Sequence, residues 1–313
     1  MKQPLTHNQI RQLCAQAALG TIDSIRKIEI GFSNDVYCID DKYILKTGRC
    51  DEDEEPFRKD VFLCNLLQDK VPAPKIIYSD TSKTLVDRFF MIYHKIPGSN
   101  LYSKWHLLSR NERREVTRQL CAILRQINET PYDSFAREFH IDTCQSWHDM
   151  TRSRINGWLD KINERNLLPS ELVTSTIRFL DQRGHVLHNE KIALTYWDPH
   201  FDNILISDSN HITGVLDFER TDIMSIDYVL DIVQRMVRYP GKYASEESEP
   251  FTKIEDYSEL LDWYEEFYPE LFDFEDLGTR LDIYSIEHSL GDIFYFPAST
   301  AAREELYRCI SLK

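Results

Sequence analysis

The chain has 313 residues, 42% hydrophobic and 28% charged, a globular composition rather than that of a coiled coil or a disordered tail. Its length suits about two domains of roughly 150 residues, enough to bury a core without disulfide or metal staples. With 52 acidic against 37 basic side chains the net charge is −15, so nucleic acid, whose phosphates need a positive surface, is not expected as a partner.

No apolar run approaches the ~20 residues of a membrane helix, and residues 1–10 lack the apolar stretch of a secretory signal. The seven cysteines are odd in number, scattered, and form no C-x-x-C pair. Reduced thiols in a cytoplasmic protein with no membrane partner are therefore expected.

Residues 22–47 read as three short strands. Ile25, Ile28 and Ile30 lead into a break at Gly31-Phe32-Ser33-Asn34, and the run resumes over 36–39. Asp40-Asp41 is a turn signal before Tyr43-Ile44-Leu45-Lys46. Phe57, Val61 and Cys64, widened by Phe62, Leu63, Leu66 and Leu67, mark an amphipathic helix that Pro72 and Pro74 close. Residues 75–78 and 88–93 read as two more strands, and Ile96-Pro97-Gly98 is a breaker. Residues 1–97 are thus expected to form a first, sheet-containing unit, and 98–313 a second, mainly helical one. There, Ser109 and Glu112 form a capping box ahead of an apolar face at Val116, Leu120, Ile123, Leu124 and Ile127. Ile155, Trp158, Leu159 and Ile162 mark another helix, and helices resume near residue 227.

Phosphate-loop, Gly-x-Gly-x-x-Gly, His-Glu-x-x-His and Gly-x-Ser-x-Gly motifs are all absent, which speaks against the enzymes built on them. The chemistry concentrates in residues 192–219. A strand over 192–195 is followed by the polar loop Trp197-Asp198-Pro199-His200-Phe201-Asp202. A hairpin then pairs 203–206 with 212–216. A turn centred on Asn210 places Asn203 opposite Asp217 at the open end of the ribbon, with Cβ atoms ~5 Å apart. An amide oxygen and a carboxylate at that spacing can share a hard cation such as Mg2+, which takes oxygen ligands together with phosphate. Asp198, on the loop opening to the same end, can accept a proton from a substrate hydroxyl. Asp, four residues, Asn, then a hairpin ending in Asp-Phe is the spacing of a kinase catalytic loop and its metal-holding aspartate.

In these motifs the chain resembles the aminoglycoside phosphotransferase family, small-molecule kinases that share the protein-kinase fold, and its choline-kinase relatives. The family's His-Gly-Asp-x-His-x-x-Asn corresponds to Tyr196-Trp197-Asp198-Pro199-His200-Phe201-Asp202-Asn203, with the leading His-Gly replaced. The resemblance implies an α+β, two-lobe, protein-kinase-like fold: an N-terminal antiparallel sheet with one helix, and a mainly helical C-terminal lobe carrying a catalytic β-hairpin. It implies ATP or GTP and Mg2+ as cofactors. Asp198 would be the base, and Asn203 and Asp217 the metal ligands. Asp227 and Asp231 would brace the catalytic loop. Ser33 and Asn34 belong to a segment resembling the nucleotide-covering loop, and Lys46 would meet the phosphates. The carboxylate orienting that lysine would be Asp60, seven residues before Leu67, or failing that Glu55. Tyr93, His94 and Ile96 lie in a segment resembling the adenine-holding hinge.

Residues 246–276 carry thirteen acidic residues and one lysine, with eight aromatics interleaved. Part of this stretch, including Glu265 and Glu266, is expected to join Glu219 and Asp222 in binding a cationic or amino-bearing hydroxyl acceptor; the alternative is a solvated acidic face. A small-molecule kinase, with antibiotics among its candidate acceptors, is the leading reading. A metabolic kinase of choline, homoserine or amino-sugar type and a catalytically inactive binding protein remain open.

Overall fold

The computed structural model describes residues 2–28, 34–243 and 249–311. Its first lobe is a five-stranded antiparallel sheet in the order β1-β2-β3-β5-β4. The strands are β1 (Ile25–Ile28), β2 (Asn34–Ile39), β3 (Tyr43–Gly48), β4 (Ile76–Asp80) and β5 (Phe90–His94). Asp40 and Asp41 both take left-handed φ, +51° and +55°, at the β2–β3 turn, a conformation short polar side chains tolerate. Period-two alternation then sorts the sheet. Tyr37, Ile39, Leu45, Phe90 and Ile92 pack toward α1 (His7–Gln16), while Cys38, Ile44, Met91 and Tyr93 pack toward α2 (Glu54–Leu67). Lys46, two residues beyond Ile44, therefore points to the α2 face. Helix α1 went unread in the sequence although Thr6 and Gln9 build its capping box.

The lobes meet at Gly98, whose φ is +134°; a Cβ there would lie 2.6 Å from Thr213 Oγ1 and 2.9 Å from the Ile206 carbonyl oxygen. Beyond it, β6 (Ser99–Asn100) joins β8 (Ile204–Ile206) and β9 (Ile212–Val215) in one small sheet, and β7 (Ile192–Tyr196) pairs with β10 (Thr221–Ser225) in another. The rest of the second lobe is helical. Its helices are α3 (Leu101–Trp105), α4 (Arg110–Asn128), α5 (Asp133–Glu138), α6 (Trp147–Glu164), α7 (Ser170–Arg183), α8 (Val229–Arg238), α9 (Leu260–Phe267), α10 (Leu277–Tyr295) and α11 (Thr300–Ile310). The Ser109–Glu112 capping box starts α4, whose expected apolar face is buried. The two-lobe α+β architecture matches the expectation from the motifs. Among the described residues no helix is long and apolar enough to cross a membrane.

Helix α2 is fastened to the second lobe as well as to its own sheet. Phe62 packs edge-on against Phe139 and tilted against Phe135 at 5.7 and 6.0 Å. Lys59 pairs with Asp222 at 2.8 Å, and Arg58 with Glu138 at 3.0 Å. The exposed Arg58 pair contributes little, but the buried aromatic contacts and Lys59 fix the position of α2 relative to the hairpin.

Candidate active site

Strand β7 delivers the chain to Tyr196, and the loop that follows is anchored at both ends. Tyr196 is buried, and its hydroxyl donates to the Leu216 carbonyl at 2.9 Å. Phe201 plugs a pocket of Trp105 and Tyr102, with ring centroids 4.4 and 5.3 Å away. Between these anchors the loop presents Asp198. Asn203 Nδ2 donates back to the Asp198 carbonyl at 3.1 Å and closes the loop. His200 Nε2 lies 3.6 Å from Asp198 Oδ1. Burial raises the Tyr196 hydroxyl well above its usual range, the negative charges of Asp198 and Asp217 raise it further, and a hydrogen bond with Asn203 opposes them. Tyr196 thus lies within the electrostatic reach of both Asp198 and Asp217. Tyr196 and Trp197, where the family pattern has His-Gly, are well supported here: the first by its hydrogen bond, the second by edge contact with Tyr228 at 5.5 Å.

The hairpin register differs by one residue from the expected one. Ile204 pairs with Val215 and Leu205 with Gly214, after which a bulge shifts the pairing to Ile206 with Ile212. Asn203 therefore faces Leu216, whose N–H it receives at 2.8 Å, and Asp217 lies one residue beyond. Asp217 adopts φ +63°, which turns its carboxylate off the ribbon and toward the first lobe.

There it meets Lys46, whose Nζ is 2.7 Å from Asp60 Oδ2, 2.8 Å from Asp217 Oδ1 and 3.7 Å from Glu219 Oε2. The other oxygen of Asp60 accepts the Phe218 N–H at 3.0 Å. One short carboxylate thus grips both the lysine and the backbone following Asp217, because α2 packs directly on that turn. Burial alone would raise the Asp217 carboxyl, but the charge and hydrogen bond of Lys46 hold it below the usual carboxylate range. Burial lowers the Lys46 ammonium, and the surrounding carboxylates, Asp217 first, bring it well above its ordinary value. Glu219 is pushed up to about 7 by burial and by Asp217, with Lys46 opposing.

Glu219 thus faces the first lobe, where it accepts from Asn34 Nδ2 at 3.3 Å. Among the described residues Asn34 Oδ1 is buried without a partner. Ser33 lies outside the described residues. Tyr93 is buried beside the Lys46 cluster, His94 is exposed against the Tyr43 ring at 5.5 Å, and Ile96 packs over Gly214. Glu55 reaches Lys59 at 3.6 Å, so Asp60 alone of the two candidates meets Lys46.

Glu265 and Glu266 are not at this site. Both are exposed on α9, and Glu266 pairs with Arg114 of α4. Five of the thirteen acidic residues in that stretch are paired among the described residues, four of them with α4: Glu259 meets Arg110, Asp256 meets Arg113 at 2.7 Å, Glu266 meets Arg114, Glu270 meets Arg125 at 2.8 Å, and Asp273 meets Lys191 at 2.7 Å. The expected role of Asp227 and Asp231 also shifts. Asp227 accepts from Arg280, Ser225 and Tyr284, and Asp231 binds Arg235, Ser285 and His288. They fasten α8 and its approach to α10, and the contact with the catalytic loop is made by Tyr228 between them.

The donor set suits magnesium. The Asn203 amide nitrogen is committed to the loop, so its oxygen is the donor on offer, and the Asp217 carboxylate is shared between Lys46 and a hydrogen bond with Glu219.

The sequence matches the phosphotransferase enzyme family over residues 24–233, two thirds of the chain, and the protein belongs to that family. No curated protein matches it. Among solved structures it resembles ADP-bound aminoglycoside phosphotransferase APH(2'')-Ib, with a TM-score of 0.69 and 16% identity over 98% of this chain and 97% of that one. It resembles APH(2")-IIa in its streptomycin–ATP ternary complex equally, at TM-score 0.69 and 15% identity over 100% and 98% of the two chains. A thermostable mutant of APH(4)-Ia, in complex with AMP-PNP and hygromycin B, aligns at TM-score 0.66 and 14% identity over 96% and 97%. At such identities the likeness establishes the kinase-like two-lobe fold.

Proposed function

We propose that this phosphotransferase-family protein transfers the γ-phosphate of ATP or GTP to a hydroxyl of a small molecule. What supports the reading is Lys46 locked between Asp60 and Asp217 at 2.7 and 2.8 Å, with the Asp198 loop closed by Asn203 at the end of the same hairpin. Asn203 and Asp217 would hold Mg2+, which supplies charge neutralisation at the phosphates when bound. Lys46, oriented by Asp60, would cradle the phosphates. The connector after β5 would hold the base: the His94 N–H is taken by the Lys75 carbonyl at 3.4 Å, whereas the Ile96 N–H has no protein partner among the described residues. Asp198 would orient the acceptor hydroxyl and take its proton as the new O–P bond forms and the bond from the γ-phosphorus to the leaving diphosphate breaks. Phosphoryl transfer asks the protein mainly for positioning and charge stabilisation, which suits a site of this rigidity.

The test is Asp198→Asn, an isosteric change. The variant should keep its fold and its nucleotide affinity and lose transfer by ~10²–10⁴-fold, the range of general-base catalysis. Transfer at the wild-type rate would remove Asp198 from the mechanism.

A further inference from the structure

We infer that the acceptor carries an oxyanion group, a carboxylate or a phosphate ester, and that Arg220 binds it. This rests on the kinase reading above and concerns the acceptor side of the same site.

That side is built around Trp197, next to Asp198. Tyr228 meets the Trp197 ring edge-on, Arg154 lies 5.6 Å over Tyr228, and Asp222 sits opposite Thr195 in the β10–β7 pair. An amine-binding wall would offer unpaired carboxylates. Here they are taken: Asp222 by Lys59 at 2.8 Å, and Glu287 by a two-point contact with Arg154 at 2.6 and 3.1 Å. Of the acidic stretch that composition offered as an amine site, Asp256, Glu259, Glu266 and Glu270 are committed to arginines of α4.

The charge on this side that makes no ion pair among the described residues is positive, although Asp217 feels it. Arg220 is exposed, has no carboxylate partner among the described residues, and holds its guanidinium 5.6 Å over the Trp197 ring. Its base is rigid. Phe218, two residues before it, is fully buried with its N–H on Asp60, and Thr221 after it is buried in β10. A planar fork held over an aromatic face beside the reacting hydroxyl matches the two oxygens of a carboxylate or phosphate. A purely cationic acceptor would meet this charge while Asp222 and Glu287 are already paired.

The test measures Mg2+-dependent transfer from labelled ATP to three sets of probes: hydroxy acids and amino acids (L-homoserine, D-glycerate), a sugar phosphate (glucose 6-phosphate), and hydroxylated amines without an acid group (choline, kanamycin). Turnover should favour one of the first two sets, and which one identifies the oxyanion. Arg220→Ala should raise KM for that acceptor by about 10-fold or more, the loss of a charge-assisted contact, while KM for ATP moves less than about twofold. Arg220→Lys should fall between. A higher kcat/KM for the amine set, turnover in no set, or a KM change on ATP instead of the acceptor would each overturn the assignment. Transfer to any acceptor that Asp198→Asn abolishes would uphold the kinase reading on its own, whichever set wins.

Discussion

Asp60 allows a quantitative test of how the two lobes are joined. Its side chain is 1% exposed, and its two oxygens serve Lys46 Nζ at 2.7 Å and the Phe218 N–H at 3.0 Å. Asp60→Asn keeps the shape but leaves a single acceptor oxygen for two donors. If that oxygen stays on Phe218, the new NH2 faces an ammonium. Removing one partner of a buried ion pair costs about 3–5 kcal/mol when the other is stranded. Lys46 is not stranded, because Asp217 remains at 2.8 Å. The expected loss is then that of one charge-assisted hydrogen bond, about 1.5–3 kcal/mol. At roughly 2–4 °C per kcal/mol this is a fall of about 3–12 °C in Tm. Lys46 would follow Asp217 and leave α2, so kcat/KM for ATP should fall by about 10-fold or more. Thermal unfolding and steady-state kinetics on the same preparation read both. A variant with the expected Tm loss but unchanged kcat/KM would refute the idea that Asp60 sets the lysine, leaving it a purely structural residue. The companion Asp60→Glu should not improve on the native protein, because the extra methylene has to be fitted where α2 already packs on the turn, an overpacking cost of about 1–3 kcal/mol.

Tyr196→Phe strands the Leu216 carbonyl, so stability should fall by about 1–3 kcal/mol, and the Mg2+ concentration for half-maximal activity should rise several-fold because Leu216 sets the position of Asp217; an unchanged metal requirement would separate Tyr196 from the site. Glu266→Gln breaks an exposed pair with Arg114 and should change stability by less than about 1 kcal/mol in urea unfolding, with kcat/KM intact. Asp256→Asn breaks a mostly buried pair with Arg113 and should cost about 3 kcal/mol; equal costs for the two would contradict the burial argument. For Asp231, burial opposes ionisation, but Arg235 and His288 hold the carboxyl below its usual range. Its contribution is present above the unfolded value of about 4 and is lost as pH falls toward the folded value. Asp231→Asn should therefore destabilise by about 3–5 kcal/mol at pH 7, with the gap to wild type narrowing in unfolding curves taken below about pH 4.

What could be read from the sequence follows the range of the interaction. Lys46 and Asp60 were legible through the resemblance, which places a lysine at the end of the third strand and its carboxylate seven residues before Leu67. The hairpin was legible as an element, but its register was not. Pairing arithmetic assumes one residue against one, and the bulge between Leu205 and Ile206 breaks that with no side-chain signal. Helix α1 was missed with its capping box in plain view, for want of a long apolar stripe. Strand β10 was missed because its pairing with β7 is set by tertiary contact.

Charge was the least legible property, and the reason is physical. A stretch with net charge −12 draws attention as a cation site, yet a carboxylate can hold a ligand only if the fold has not already given it a partner. The arginines at 110, 113, 114 and 125 lie about 140–150 residues upstream, and nothing local announces that α4 will run alongside α9. Electrostatic attraction at the surface is in any case weak and screened, so density of charge says little about affinity. An isolated charge on a rigid base beside the reacting group has more influence on what binds, since a like charge brought to it repels and an opposite one is held in a fixed geometry. By that measure, and on the assignment proposed above, Arg220, a single residue in an unremarkable tripeptide, would weigh more on the choice of acceptor than the whole acidic segment.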